Sequence, residues 1–408
     1  MSAPGVSAPQ APQPGQAVTV SLQRPWALAI GGMLSMAAAN GVDRFIYTPI
    51  LPVMVRSLGL TASQAGLIAS ANYLGYLLGA LFAARPGLGG SRRGWLLAAL
   101  AVSAVCTASM GLGESLAPML VLRLVSGFFG AVAVVMAIAL VVERLAADGH
   151  GGLAPVHFAG VGIGIAVSAL IVAALHSQNL GWHAMWFAAG ATSVCCLAAV
   201  SGLIGNREHA PPAGAARSPA LGAKFRLLIA ANTLSAFGYV ITATFIVALV
   251  RGSEQLKDLE ASIWVVFGLA AAPSVALWLW VARRLDMFRT FALVCLIEAA
   301  GVLSSVLWLQ AIGTLVAAVC VGGSFMGTTA LGMLAARRLT VGDARRPVAL
   351  MTAGFGVGQM VGPTFAGALR DLSGSFLLPS LCAAASLVLA AFLAVRAGAP
   401  EPSGRMPA

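Results

Sequence analysis

Long blocks of apolar residues fill most of this chain, each closed by a short polar segment or one containing glycine and proline. A bilayer core about 30 Å thick needs about 20 helical residues at a rise of 1.5 Å each. Runs of that kind predict spans at 26–54, 61–84, 94–112, 116–142, 154–175, 183–204, 225–250, 259–281, 289–309, 312–336, 347–369 and 374–396, with the faintest breaks at 112–116 and 309–312. The pattern predicts an all-α polytopic membrane protein with twelve transmembrane helices. An even count puts both ends on the same side.

Outside these runs, residues 1–25 are rich in Pro, Ala, Ser and Gly and read as a disordered tail. Residues 206–224, containing His209-Ala210-Pro211-Pro212-Ala213-Gly214, read as a linker between two six-helix bundles, 26–205 and 225–397, and 398–408 forms a second tail. A weak repeat supports the division. Gly160, Gly162 and Gly164 recur as Gly354, Gly356 and Gly358, and the same offset carries the basic loop from Arg85 to Arg93 onto Leu279 to Met287. Matching span counts and this offset favour a parallel repeat of six helices. Small residues four apart (Gly75 and Gly79, Gly160 and Gly164, Gly323 and Gly327, Gly354 and Gly358) predict close helix contacts, either at a surface that slides during transport or in static packing.

Composition agrees. With 59% apolar residues and 9% charged, the chain lies far from soluble proteins, where about a quarter of residues are charged. The apolar run from Pro25 to Phe45 follows a long polar stretch and precedes many others, so it is read as a span rather than a cleaved leader. The net charge of +11 is a topology signal and implies no nucleic acid partner. Of 24 Lys and Arg, 18 fall on the side of the termini, and Arg56, Arg251, Lys257 and Arg370 fall on the other side. Arg44 and Arg123 lie within spans. This asymmetry predicts cytoplasmic termini. The six cysteines sit in apolar runs without metal or disulfide spacing and read as small apolar fillers.

Polar residues inside the spans are costly, and they mark candidate function. Asn40, Asp43, Arg44 and Tyr47 are spaced to share one face of span 1, and the prolines at 49 and 52 are expected to distort its outer end. By helical rise, Asp43 and Arg44 lie roughly 6–8 Å, and Arg123 of span 4 roughly 10 Å, to the same side of the midplane. Asp43 is therefore expected to pair with Arg123 or with Arg44, leaving one arginine for a substrate carboxylate or only a structural pair. Glu298 in span 9 has no cation in its own helix and reads either as a proton carrier or as a structural acid. His157, Tyr73, Tyr76, Asn232, Tyr239, Thr328, Thr329 and Gln359 are further candidates for the cavity, or else for ordinary interhelical bonding. The chain has no Gly-x-x-x-x-Gly-Lys-Ser/Thr run and no hydrolase-like cluster, so an ion gradient is the expected drive and no enzyme activity or cofactor is expected.

At these residues the chain resembles the major facilitator superfamily, specifically its bacterial YbfB/YjiJ-like group. The resemblance rests on Asp43-Arg44-Phe45-Ile46-Tyr47-Thr48-Pro49-Ile50-Leu51-Pro52, Ala69-Ser70-Ala71-Asn72-Tyr73-Leu74-Gly75-Tyr76-Leu77-Leu78-Gly79-Ala80, Phe158 to Gly164 and Gly358-Gln359-Met360-Val361-Gly362-Pro363. It implies two pseudo-symmetric bundles around a central cavity in a bacterial inner membrane. Arg123-Leu124-Val125-Ser126-Gly127 resembles the span 4 pattern that the family links to proton coupling. Two features depart from the family: Ala83 stands where the loop after span 2 commonly has an aspartate, and Gly164-Ile165 replaces the Gly-Pro of many drug antiporters. The expected function is secondary transport of a small organic anion or zwitterion by alternating access, coupled to H+, by a monomer. The alternatives are proton-driven multidrug or metabolite efflux and, from another class, a membrane receptor or scaffold that transports nothing.

Overall fold

In hydrocarbon every backbone polar group must be bonded within the protein, and the apolar runs meet that demand as helices. The computed structural model describes residues 25–85, 88–205, 222–251, 256, 259–339 and 345–399, so the predicted tails and linker lie largely outside the described residues. Span 1 covers 25–58 in pieces. Spans 2 to 7 follow as Ala62–Ala83, Arg92–Leu112, Leu116–Ala147, Ala154–Ser177, Trp182–Leu203 and Ala223–Arg251. Span 8 joins Glu260–Ala271 to Ser274–Leu285, and spans 9 to 12 are Met287–Leu307, Ala311–Arg338, Arg345–Ser373 and Leu377–Gly398. Among the described residues nine helices are long and apolar enough to cross alone, and the bent span 8 makes ten. The other two crossings are span 1, which is broken, and span 11, whose apolar character is diluted by Gln359 and five glycines.

Local chemistry sets the ends and breaks. Thr61 and Gln64 close a capping box at the start of span 2, and the Asp286 carboxylate accepts the first free amides of span 9 from Phe288 and Arg289. Two departures from the predicted spans have a proline as their cause. Span 8 bends by 46° where Pro273 removes an amide donor and crowds the preceding turn. Span 1, expected as one helix over 26–54, instead runs through a π-helical stretch, Ala37–Val42, and a turn at 43–46 before Tyr47–Leu58.

The glycine pairs pack inside each half. A Cβ on Gly75 or Gly79 would collide with the span 4 backbone at Leu124 or Phe128, and one on Gly160 or Gly164 with span 1 at Met33 or Ala37. Gly354 and Gly358 meet Thr233 of span 7, while Gly327 meets Trp278 of span 8. Of the two readings of these pairs, packing within a half is the one these contacts fit. Residues two apart on a helix point about 200° apart, so the middle glycine of each repeated triplet faces away. Gly162 abuts Gly268 and Ala272 of span 8, and a Cβ on Gly356 would lie 2.9 Å from the side chain of Leu77 in span 2. Both middle glycines thus touch the opposite half.

Two substitutions separate these roles. Gly160→Val overpacks one bundle and should cost about 1–3 kcal/mol, read as a lowered thermal midpoint in detergent. Gly162→Val should cost less stability and increase thiol labelling of Ser70→Cys, which lies between the halves. Equal effects of both on both readouts would contradict the assignment of faces.

Candidate functional site: a polar layer between the halves

The site begins with Pro49, which has no amide hydrogen for the Phe45 carbonyl four residues back. The Thr48 amide bonds that carbonyl at 3.2 Å and is withdrawn from the carbonyl of Arg44. Just upstream, Asp43 N bonds Ala38 O at 2.9 Å and Phe45 N bonds Asn40 O at 3.2 Å, both in the five-residue π pattern. The carbonyls of Asp43 and Arg44 are left needing donors where lipid excludes water. Arg123 supplies them, its Nη1 donating to Asp43 O at 2.8 Å and its Nη2 to Arg44 O at 3.1 Å. The guanidinium lies 5.3 Å from the ring centre of Tyr47 and 5.8 Å from that of Trp186, and Tyr47 donates its hydroxyl to Ala65 O at 2.8 Å.

The break splits the polar face expected of span 1. Asp43 turns into the first half, where its carboxylate accepts Ser103 Oγ of span 3 at 2.7 Å and Ser193 Oγ of span 6 at 2.6 Å. The expected ion pair of Asp43 with Arg123 or Arg44 does not form, because the fork of Arg123 is engaged by the two carbonyls and Arg44 points the other way. Arg44 Nη2 donates to Gln359 Oε1 of span 11 at 2.8 Å, and its guanidinium lies 4.5 Å and 4.3 Å from the rings of Tyr73 and Tyr76. Gln359 donates in turn to the Tyr239 hydroxyl. Tyr239 stacks on Phe325 at 5.3 Å and Phe355 at 6.0 Å. Arg44 is buried, and among the described residues it has no acidic partner and its Nε has no acceptor.

Five of the expected residues, Arg44, Tyr73, Tyr76, Tyr239 and Gln359, therefore meet in one layer. Asn40 lies buried one turn before Arg44, its Oδ1 without a hydrogen-bond partner among the described residues. Asn232 instead donates to Met351 O at 3.0 Å inside the second half, and Thr329 to Phe325 O at 3.0 Å along its own helix. His157 packs against Gly32, and among the described residues neither ring nitrogen has a hydrogen-bond partner. Glu298 and Thr328 meet each other behind Phe325. Sequence reasoning missed Ser103, Ser193, Trp186, Phe325 and Phe355. Ser103 and Thr107, one turn apart in span 3, were an available signal; single aromatics in apolar runs carry none.

Hydrogen bonds also join the halves farther from the termini. Thr48 Oγ1 donates to Ala243 O at 2.9 Å, Thr364 Oγ1 to Ser70 Oγ at 2.8 Å, and the Ala62 and Ser63 amides to the Asp371 carboxylate at 3.1 Å and 2.8 Å. Beyond them a cavity of about 250 Å³ is lined by Arg56, Arg251 and Arg370. The side away from the termini is thus closed.

This architecture has known counterparts. The family model described as "Uncharacterised MFS-type transporter YbfB" matches residues 36–395. The chain belongs to the major facilitator superfamily. A chloramphenicol resistance protein of Streptomyces lividans is 30% identical over 371 residues, covering 81% of this chain and 90% of that protein. The solved structure of the nucleoside transporter NupG superposes with a TM-score of 0.66 at 16% identity, covering 92% of this chain and 99% of that one. A bacterial homologue of the human lysosomal transporter Spinster, in an inward-facing and occupied conformation, gives 0.64 at 16% identity, covering 91% and 94%. Membership of the superfamily makes the chain a multi-pass secondary transporter of a small molecule.

Because the Asp43 and Arg123 side chains do not pair, a double-mutant cycle with Asp43→Asn and Arg123→Gln should give a coupling energy of only about 0.5 kcal/mol or less, with Arg123→Gln alone costing about 1–3 kcal/mol for each carbonyl it abandons. Stability measured in mixed micelles checks this. A coupling of about 3 kcal/mol or more would be the signature of a buried ion pair.

Proposed function

We propose that this facilitator carries a small organic anion or zwitterion with a planar or aromatic body, bound at Arg44 and coupled to H+ by alternating access. The observation that carries the reading is Arg44 itself. A buried guanidinium without an acid in reach needs a counterion, and a substrate carboxylate provides one. Tyr73 and Tyr76 hold the guanidinium by its faces, and Gln359 ties it to the second half, so a ligand that takes over the Gln359 contact alters a bond between the halves. Asp43 is the candidate proton site of the first half, served by serine hydroxyls and next to the carbonyls that Arg123 binds. The charge sidedness of the loops supports cytoplasmic termini in a bacterial inner membrane.

Efflux of an uncharged aromatic compound is the second reading, favoured by the 30% identical chloramphenicol resistance protein. Purified protein separates the two readings. Benzoate should raise the thermal midpoint of the wild type and lose that effect in Arg44→Gln, since a ligand at a hundred times its Kd adds about 2.7 kcal/mol to the folded state. Stabilisation by chloramphenicol that survives Arg44→Gln, with none by benzoate, would favour efflux. In liposomes, a ligand identified this way should enter on a pH gradient in the wild type and lose gradient-driven accumulation in Asp43→Asn; unchanged accumulation would remove Asp43 from the proton pathway.

A further inference from the structure

Glu298, at the middle of span 9, is fully buried in the second half. Its Oε1 accepts Thr328 Oγ1 of span 10 at 3.2 Å, and its Oε2 has no hydrogen-bond partner among the described residues. The Thr328 hydroxyl lies equally within reach of the Ser324 and Phe325 carbonyls, at 3.0 Å and 3.2 Å, and has one proton to give. Span 10 otherwise turns Ser324 toward Glu298, and span 7 contributes Tyr239 and also Ser235, whose buried Oγ sits against Cys295. The buried face of span 12, which also packs on span 9, carries alanines, one leucine, one proline and two serines. Span 8 also packs on span 9, and its Arg283 and Arg284 are exposed at its end, so among these described neighbours no Lys, Arg or His faces the carboxyl. Asp43 differs, since two short hydroxyl bonds already satisfy it. An uncompensated carboxylate in such surroundings costs several kcal/mol, so a cation must be bound there.

We infer that Glu298, with the hydroxyls of Thr328, Ser324 and Ser235, forms a second exchange site for a monovalent cation, H+ or Na+, directly behind the wall of the Arg44 site. The inference rests on the reading of this chain as a gradient-coupled carrier, but assigns the second half a carboxyl of its own. Phe325 follows Ser324 and precedes Thr328 by three residues, and it stacks on Tyr239, which holds Gln359 and through it Arg44. When the cation leaves to water, the carboxylate needs donors, and Thr328 and Ser235 must turn to it. Those hydroxyls sit on the spans that carry Phe325 and Tyr239, so the central site is moved by the exchange. In the proton case the balance is a carboxylic acid giving a carboxylate and a released H+, and in the sodium case the ion pair separates with no change of bonds.

Infrared difference spectroscopy on the full-length protein in lipid, without substrate, tests this. The carbonyl stretch of a protonated carboxylic acid should be present in the wild type, lost reversibly as pH is raised in choline buffer, retained in Asp43→Asn and absent from Glu298→Gln. Replacing choline by Na+ at fixed pH should abolish the band if sodium is the physiological cation and leave it intact if the proton is. A band that belongs to Glu298 but responds to neither pH nor Na+, or no difference between wild type and Glu298→Gln under any condition, would overturn the proposal. Should Glu298→Gln fail to fold, Thr328→Val removes the donor to Oε1 and must shift the band; an unshifted band also overturns it. Benzoate binding is read separately, so a failure of the Arg44 site and a failure of this one are distinguishable.

Discussion

The two hydrogen bonds from Arg123 to the carbonyls of Asp43 and Arg44 are the constraint on which the rest of this molecule depends. A helix broken within a bilayer exposes backbone acceptors that neither water nor lipid can satisfy. Pro49 imposes the break, and the bidentate guanidinium of Arg123 makes it tolerable. From that single repair follows the divergence of two adjacent charges. Asp43 turns into the first half among serines, while Arg44 crosses toward Gln359 and the second half.

Glycine placement separates what holds a bundle together from what lies between bundles. In the triplets of spans 5 and 11, the outer glycines seat the helix on span 1 or span 7 of its own half, and the middle glycine meets the opposite half. Gly162 meets the backbone of span 8 and Gly356 the side chain of Leu77, close approaches that suit surfaces which must part and meet again. The hydrogen bonds from Thr48 to Ala243 O, from Thr364 to Ser70 and from the Ser63 amide to Asp371 then fasten the side away from the termini. The proposed alternation needs those few bonds to be exchanged for others while each bundle stays intact.

Much of the fold was legible because lipid reduces the problem to counting apolar runs and basic loops. The breaks were less so. Prolines 49 and 52 announced a distortion, yet its position at 43–46 depends on Arg123, eighty residues away. The same contact explains why the expected Asp43 ion pair was wrong: charge and depth place these residues in one layer, but hydrogen-bond demand from the backbone outranks a side-chain pairing that sequence spacing suggests. Arg44, Tyr73, Tyr76, Tyr239 and Gln359 were each legible as polar residues in spans. Their assembly was not, because it joins spans 1, 2, 7 and 11 from both halves, and Phe325 and Phe355 look like any lipid-facing aromatic until their partners are known.

The central proposal is that these halves exchange access to the Arg44 layer. Distances between spin labels test it most directly, with one pair at Ser57 and Leu372 on the closed side and another at Ala147 and Leu285 on the side of the termini, in a background without native cysteines. Shifting pH or adding a bound ligand should redistribute the two pairs in opposite senses, one lengthening as the other shortens. Single, unchanging distances at both ends under all conditions would contradict alternating access and leave a fixed membrane scaffold.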